Sequence, residues 1–214
     1  YDYPRTYKMT FDKQGRLWLA SPQNSLFVLD FKNDIEYTII PSKGGFLAID
    51  ILCDHTGTIY VASYQDGVYT MDPEMKSIEK LANKGSNLPF RLFEDSLNNL
   101  WYGFEDGIAV VDKERESLKT LSGNANYDLS TIITDIKEDR SGGIWLCLPS
   151  NSASPTNNAS SSSLLRVSLK EQKVRVLTIE TDYNIIGHKI EEDNQGNFWI
   201  LGKDDVFVLG ENMD

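Results

Sequence analysis

The chain has 214 residues, 40% hydrophobic and 11% aromatic, which is enough apolar material for a substantial core and too much for a disordered tail. Lysine and arginine number 21 against 32 aspartates and glutamates, a net charge of −11 that repels phosphate backbones and anionic lipid surfaces and argues against nucleic acid or membrane as a partner. No apolar run approaches the roughly 20 residues of a membrane span.

In chain order, the first predicted unit turns at Asp12-Lys-Gln-Gly15, leaves in a strand at Leu17-Trp-Leu-Ala20, and continues in strands at Leu26–Asp30 and Glu36–Ile40. The second enters at Ile49–Leu52, turns at Asp54-His-Thr-Gly57, and runs through Ile59-Tyr60 to strands at Val68–Asp72 and Ser77–Leu81. Phe90–Phe93, Asp95-Ser-Leu-Asn98, Leu100–Gly103, Ile108–Asp112 and Ser117–Leu121 repeat that order. So do Thr134–Ile136, Asp139-Arg-Ser-Gly142, Ile144–Cys147, Leu164–Ser168 and Lys173–Leu177. The last unit contains Asp193-Asn-Gln-Gly196, Phe198-Trp199 and Val206–Gly210. These runs are short, β-branched or aromatic, and bounded by turn residues, as strands are, and nothing reads as a helix.

One phrase therefore occurs five times, with aspartate six residues before an aromatic and Gly or Asn three before it. The aromatics Trp18, Tyr60, Trp101, Trp145 and Trp199 are 42, 41, 44 and 54 residues apart. In a tight hairpin the carboxylates of Asp12, Asp54, Asp95, Asp139 and Asp193 accept turn amides. The fourth residue (Gly15, Gly57, Asn98, Gly142, Gly196) takes positive φ. Four strands per period of this length predict an all-β fold of propeller blades, about five four-stranded antiparallel sheets. The predicted blades span 5–41, 46–82, 88–122, 131–178 and 186–214, the last incomplete, in one propeller region. The recurring aromatics fill the gap between adjacent blades. Only Glu-Asn-Met-Asp follows the third strand of the fifth blade, and residues 1–4 are too short to add an outer strand. The expectation is an open fragment whose exposed faces and edges favour self-association.

The longest interval holds a Ser-, Asn- and Pro-rich segment, 149–163, with the composition of a flexible insertion: either a rim loop that folds over ligand or a mobile insertion without a role. Asn158-Ala-Ser160 matches a glycosylation acceptor and receives little weight. Cys53 and Cys147 are either reduced core residues or one bridge. No signal peptide is visible, since Tyr1 opens into folded-looking sequence, which leaves a cytosolic protein or a chain whose start has been cut away. His55 lies in a turn and His188 near a strand. Two histidines in different repeats have no metal-site spacing, and no hydrolase, zincin or phosphate-loop motif occurs. No catalytic residue, metal or cofactor is expected.

The repeat lacks a Trp-Asp dipeptide closing a strand. Its glycine comes three residues after Asp, where a sialidase-type box has it at two, and no paired glycines lead it as in kelch. It resembles the two-component regulator propeller repeat, close to Asp-x-x-Gly-x-Leu-Trp-Ile-Gly-Thr followed by Gly-Leu. Asp139 to Leu146 and Asp95 to Gly103 carry the first part; Asp66-Gly67-Val68 and Asp106-Gly107-Ile108 carry the second. The resemblance covers nearly the whole chain. It implies the periplasmic sensor region of a hybrid two-component system histidine kinase of gut bacteria. Such regions use paired seven-bladed propellers to recognise glycan-derived oligosaccharides and signal to a kinase. A homodimer is implied for the parent protein, with the remaining blades and the kinase as partners within it. The chain departs from the pattern in showing five repeats and no kinase, receiver or DNA-binding segment.

On that register, Lys8, Asp50, Arg91, Asp135 and Lys189 occupy equivalent positions at the entrances of the innermost strands. They line either a wet central channel or a rosette of hydrogen-bonding groups for a polar ligand. Tyr64, Phe104, Tyr127 and Tyr183 are expected to stack on sugar rings, with Asp66 and Glu105 accepting hydroxyl protons. The alternatives are a protein-interaction or dimerisation scaffold and a propeller lyase of the streptogramin-cleaving type. A lyase needs clustered histidines, and His55 with His188 makes a poor set.

Overall fold

Each repeat begins from its turn. In the computed structural model, which describes residues 8–21, 25–39, 47–64, 66–72, 74–81, 89–104, 107–112, 114, 118–121, 133–148, 161–168, 173–180, 189–201 and 206–210, all five Asp-led turns close identically. The amide of the fourth residue donates to the Asp carbonyl, and the Asp amide donates to the carbonyl four residues on, as in Gly15 to Asp12 and Asp12 to Arg16, both 3.0 Å. The fourth residue has φ between 65° and 98° at Asn98, Gly142, Gly15, Gly196 and Gly57. That region favours glycine and tolerates asparagine, which explains the one substitution in the series.

The turns join the first two strands of five antiparallel sheets, and no helix occurs among the described residues. The first sheet is β1 (Lys8–Phe11), β2 (Leu17–Ser21), β3 (Ser25–Asp30) and β4 (Ile35–Ile39), in that order. The second is β5 (Leu47–Cys53), β6 (Ile59–Tyr64), β7 (Gly67–Met71) and β8 (Ile78–Lys80). The third is β9 (Pro89–Glu94), β10 (Leu100–Phe104), β11 (Gly107–Val111) and β12 (Leu118–Leu121). The fourth is β13 (Asp135–Glu138), β14 (Ile144–Leu148), β15 (Ser161–Ser168) and β16 (Lys173–Glu180). The fifth has three described strands, β17 (Lys189–Glu192), β18 (Phe198–Leu201) and β19 (Val206–Leu209). These are propeller blades, as the repeat predicts.

Two details differ from expectation. Ser161, Ser162 and Ser163, counted above with the flexible insertion, extend β15 and pair with Glu180, Ile179 and Thr178; residues 149–160 lie outside the described residues. Serine has little strand preference, so the partner strand β16 imposes the extension. A register shift between Ala48 and Asp50 bulges β5. Cys53 and Cys147 are free thiols, half-buried and buried.

Contacts divide the chain into two compact units, Tyr1–Glu94 and Asp95–Asp214. In the first, the face of β2 and β3 bearing Trp18, Ala20, Leu26 and Val28 packs on Ile51, Ile59, Val61, Tyr69 and Met71 of the next blade. In the second, Trp145, Cys147 and Leu164 pack on Ile190, Phe198 and Ile200, with the Trp145 and Phe198 rings 5.0 Å apart. Every residue of β10, β11 and β14 is buried, and these strands are near-continuously apolar where a one-sided sheet would alternate.

Candidate functional site

The repeated aspartate does more than hold its turn. Its Oδ1 accepts the amides two and four residues on, at 2.8–3.0 Å in all five turns. Its Oδ2 accepts the indole N–H of the blade's tryptophan: Trp18 to Asp12 at 2.7 Å, Trp101 to Asp95 and Trp145 to Asp139 at 2.8 Å, and Trp199 to Asp193 at 2.9 Å. The six-residue spacing is therefore a hydrogen-bond length as well as a packing period. Tyr60 stands where the other four repeats have tryptophan, so the Asp54 turn has no indole donor. Arg16 and Arg166 reinforce two of the carboxylates, at 2.6 Å on Asp12 and 2.7 Å on Asp139.

Two further hydrogen-bond series tie blade to blade. The residue before the turn aspartate is Glu94, Glu138 or Glu192, and each clamps the preceding blade's turn with both carboxylate oxygens. Glu94 accepts the His55 amide on Oε2 and meets His55 Nδ1 with Oε1, both at 2.7 Å. Glu138 accepts the Ser96 amide and hydroxyl at the same distance. Glu192 accepts the Arg140 amide at 3.0 Å, with Arg140 Nε 3.6 Å from its other oxygen. The second blade has Cys53 at this position, and there Lys13 Nζ donates to the His55 carbonyl. The Glu-Asp pairs 94–95, 138–139 and 192–193 are visible in the sequence and are the signal that repeat reading passed over.

This clamp also accounts for the carboxylate and imidazole atoms of Asp54, His55 and Glu94, which lie within 4.8 Å of one another. His55 makes the same two contacts as Ser96, so the group repeats the clamp found in the next blade.

The second series uses two of the predicted rosette residues. Asp50 is buried, and its carboxylate accepts its neighbour Ile51's amide at 2.9 Å and the amide of Leu92 in β9 at 3.0 Å. Asp135 likewise accepts the Ile190 amide at 2.9 Å. Burial pushes the Asp50 carboxyl up, against the pull of Lys8, the Leu92 amide, Arg91 and the Ile51 amide. Asp50 thus joins two inner strands, because an inner-strand amide beyond the reach of ladder pairing needs an acceptor.

The other candidates divide. Arg91 and Lys8 are half-buried, within electrostatic reach of Asp50. Tyr64 is half-buried at the end of β6. Lys189 is exposed and pairs with Glu191 at 2.8 Å; Asp135 and Glu191 both hold its ammonium charged, hydrogen bonding to Glu191 most strongly. Asp66 accepts the Tyr69 hydroxyl and Lys80 Nζ, the latter at 3.2 Å, so its carboxylate is already engaged. Phe104 is buried beside Tyr102, ring centroids 6.5 Å apart. Glu105, Tyr127, Tyr183 and His188 lie outside the described residues. Among the described candidates, Lys8, Tyr64 and Arg91 of the first unit are half-buried.

Set against known proteins, no family profile and no curated protein sequence matches the chain. Solved structures do. The extracellular domain of a protein described as a one-component system of B. thetaiotaomicron superposes with a TM-score of 0.74 at 20% identity, over 97% of this chain and 28% of that one. The extracellular domain of a hybrid two-component system of the same organism gives 0.72 at 17% identity, over 96% and 27%. A catalytically inactive variant of virginiamycin B lyase from Staphylococcus aureus, with quinupristin, gives 0.74 at 13% identity, over 100% and 72%. These likenesses establish the propeller fold. The chain spans about a quarter of the length of the two sensor domains.

Proposed function

We propose that this chain is the ligand-recognition part of an extracytoplasmic sensor in a hybrid two-component signalling protein, located in the periplasm and responding to a glycan-derived oligosaccharide. The observation that carries the reading is the match of nearly the whole chain to about a quarter of two bacterial extracellular sensor domains. The repeat phrase supports it independently, since it resembles the repeat of such sensors. In this reading the chain acts by binding, and the kinase of the parent protein supplies the catalysis. Lys8 and Arg91 bring cationic donors beside a buried carboxylate, and Tyr64 brings an aromatic ring, a combination suited to a ligand with hydroxyl or carboxylate groups. His55 supports binding over lyase chemistry, since its ring is committed to Glu94.

Thermal melts with a panel of acidic and neutral oligosaccharides, and separately with divalent cations, test the reading. A rise in Tm with a saccharide that Arg91→Ala and Tyr64→Ala each weaken tenfold or more by calorimetry is expected. A saccharide response unchanged in both variants removes the site. Stabilisation by a divalent metal, with turnover of a lactone or cyclic depsipeptide, replaces the sensor with the lyase.

A further inference from the structure

Among the five turns the second departs from the repeat twice. His55 follows the turn aspartate where the other repeats have Lys13, Ser96, Arg140 and Asn194. Tyr60 stands in place of the tryptophan whose indole donates to that aspartate in the other four. At this turn an imidazole and two carboxylates come together: one ligand atom each from Asp54, His55 and Glu94 lie within 4.8 Å of one another. His55 Nδ1 and Glu94 Oε1, 2.7 Å apart, form the near edge. Asp54 is buried, and its Oδ1 is held in place by the amides of Thr56 and Thr58 and by the Thr56 hydroxyl. The Glu94 side chain is 12% exposed and that of His55 43%, so the group opens to solvent on the imidazole side. Spacing along the chain conceals the set, because Glu94 comes from the next blade, 39 residues beyond His55.

We propose that Asp54, His55 and Glu94 bind a zinc ion through His55 Nδ1, Glu94 Oε1 and one Asp54 carboxylate oxygen, with water completing a four-coordinate shell on the exposed side. One imidazole nitrogen and two carboxylate oxygens are a donor set that zinc accepts. Zinc bonds of about 2.0–2.2 Å in a tetrahedron set ligand atoms about 3.4 Å apart. That separation lies between the 2.7 Å near edge and the 4.8 Å outer limit of the group, so side-chain rotations of about an ångström suffice. The ion takes the place of the hydrogen between Nδ1 and Oε1. A neutral ring then carries its proton on Nε2, and an imidazolium releases one proton on binding. Glu94 Oε2 keeps the His55 amide, so the clamp survives and gains a metal bond between two blades. The bound ion staples the fold and implies no turnover. The other two glutamate clamps are internal controls. Glu138 meets Ser96 and Glu192 meets Arg140 in the same arrangement, but neither turn offers an imidazole, and Arg140 brings a charge that repels a cation.

Calorimetric titration of the metal-stripped chain with Zn²⁺, paired with thermal melts, tests the proposal on the wild type, His55→Ser, Glu94→Gln and His188→Ser. His55→Ser installs the residue that Glu138 clamps in the next blade, so the turn keeps its hydrogen bonds and loses only the nitrogen ligand. The wild type is expected to bind one Zn²⁺ per chain and to melt at a higher temperature with it than without it. His55→Ser and Glu94→Gln each weaken binding tenfold or more, and His188→Ser leaves it unchanged. Ring-nitrogen NMR of the wild type, which needs no variant to fold, should show the His55 Nδ1 resonance moving on addition of Zn²⁺. A wild-type chain that takes up no Zn²⁺, uptake that His55→Ser retains in full, uptake that His188→Ser abolishes, or a His55 Nδ1 resonance that stays in place at saturating Zn²⁺ overturns the proposal.

Discussion

The Asp139 carboxylate accepts from the amides of Ser141 and Gly143, the Ser141 hydroxyl, the Trp145 indole and Arg166 Nε. Burial pushes its pKa up, but Arg166, Ser141, the Gly143 amide and Trp145 together hold it at about 2, against 3.8 for the free side chain. The native state therefore binds its proton later than the unfolded chain as pH falls. The stability this supplies is complete above about pH 4 and is lost as pH drops from there through 2, about 2 kcal/mol from this group alone. Asp12 and Asp193 are lowered too, by hydrogen bonds from Trp18 and Arg16 and from Trp199 and Asn197, with burial opposing in both. Urea melts between pH 7 and 2.5 should show the fall, and Asp139→Asn should shrink the difference between pH 5 and 2.5. A second substitution probes the same carboxylate from behind. A Cβ on Gly143 would sit 2.2–2.5 Å from the Arg166 guanidinium, which can yield only by leaving Asp139 and Ser141. Gly143→Ala should cost about 1–2 kcal/mol in urea melts and raise the Asp139 pKa in a carboxyl NMR titration; an unmoved titration would show that Arg166 holds its place.

Between elements, the clamp by glutamate is the device that orders one blade on the next. Glu138→Ala leaves the exposed Ser96 amide and hydroxyl without their acceptor and should cost about 0.5–1 kcal/mol, while Glu138→Gln, which keeps an acceptor oxygen, should cost less. Asp50→Ala, which strands the Leu92 amide in the interior, should cost about 1–3 kcal/mol. Thermal or chemical melts measure both. The blades themselves were legible in the sequence because a turn that demands positive φ at one place and an aromatic six residues after its aspartate leaves a fixed signature. The candidate site was less legible. A charged residue at a strand entrance looks alike whether it faces a ligand or another strand's amide, and only the three-dimensional partner separates Asp50 from Arg91. The burial of Phe104 is a related case: it depends on residues distant in the sequence, which local pattern does not encode. The Glu-Asp pairs were readable but occur in three repeats of five, and Cys53 and Phe11 hide the series.

At the scale of the whole molecule, stability in a chain of repeats is close to a sum of blade terms and nearest-neighbour interface terms. Every residue of β10, β11 and β14 is buried. In contrast, β1 alternates half-buried with exposed residues, and β18 and β19 expose alternate positions. A blade missing a covered face loses the burial of several large apolar side chains, each contributing about 1.5–3 kcal/mol, so its amides should open by local unfolding well below the global free energy. Native-state hydrogen exchange is expected to show protection highest in β10, β11 and β14 and lower by about a hundredfold or more in β1, β18 and β19. Uniform protection across all five sheets would mean that the chain unfolds as one cooperative block, and the nearest-neighbour account of its stability would fall.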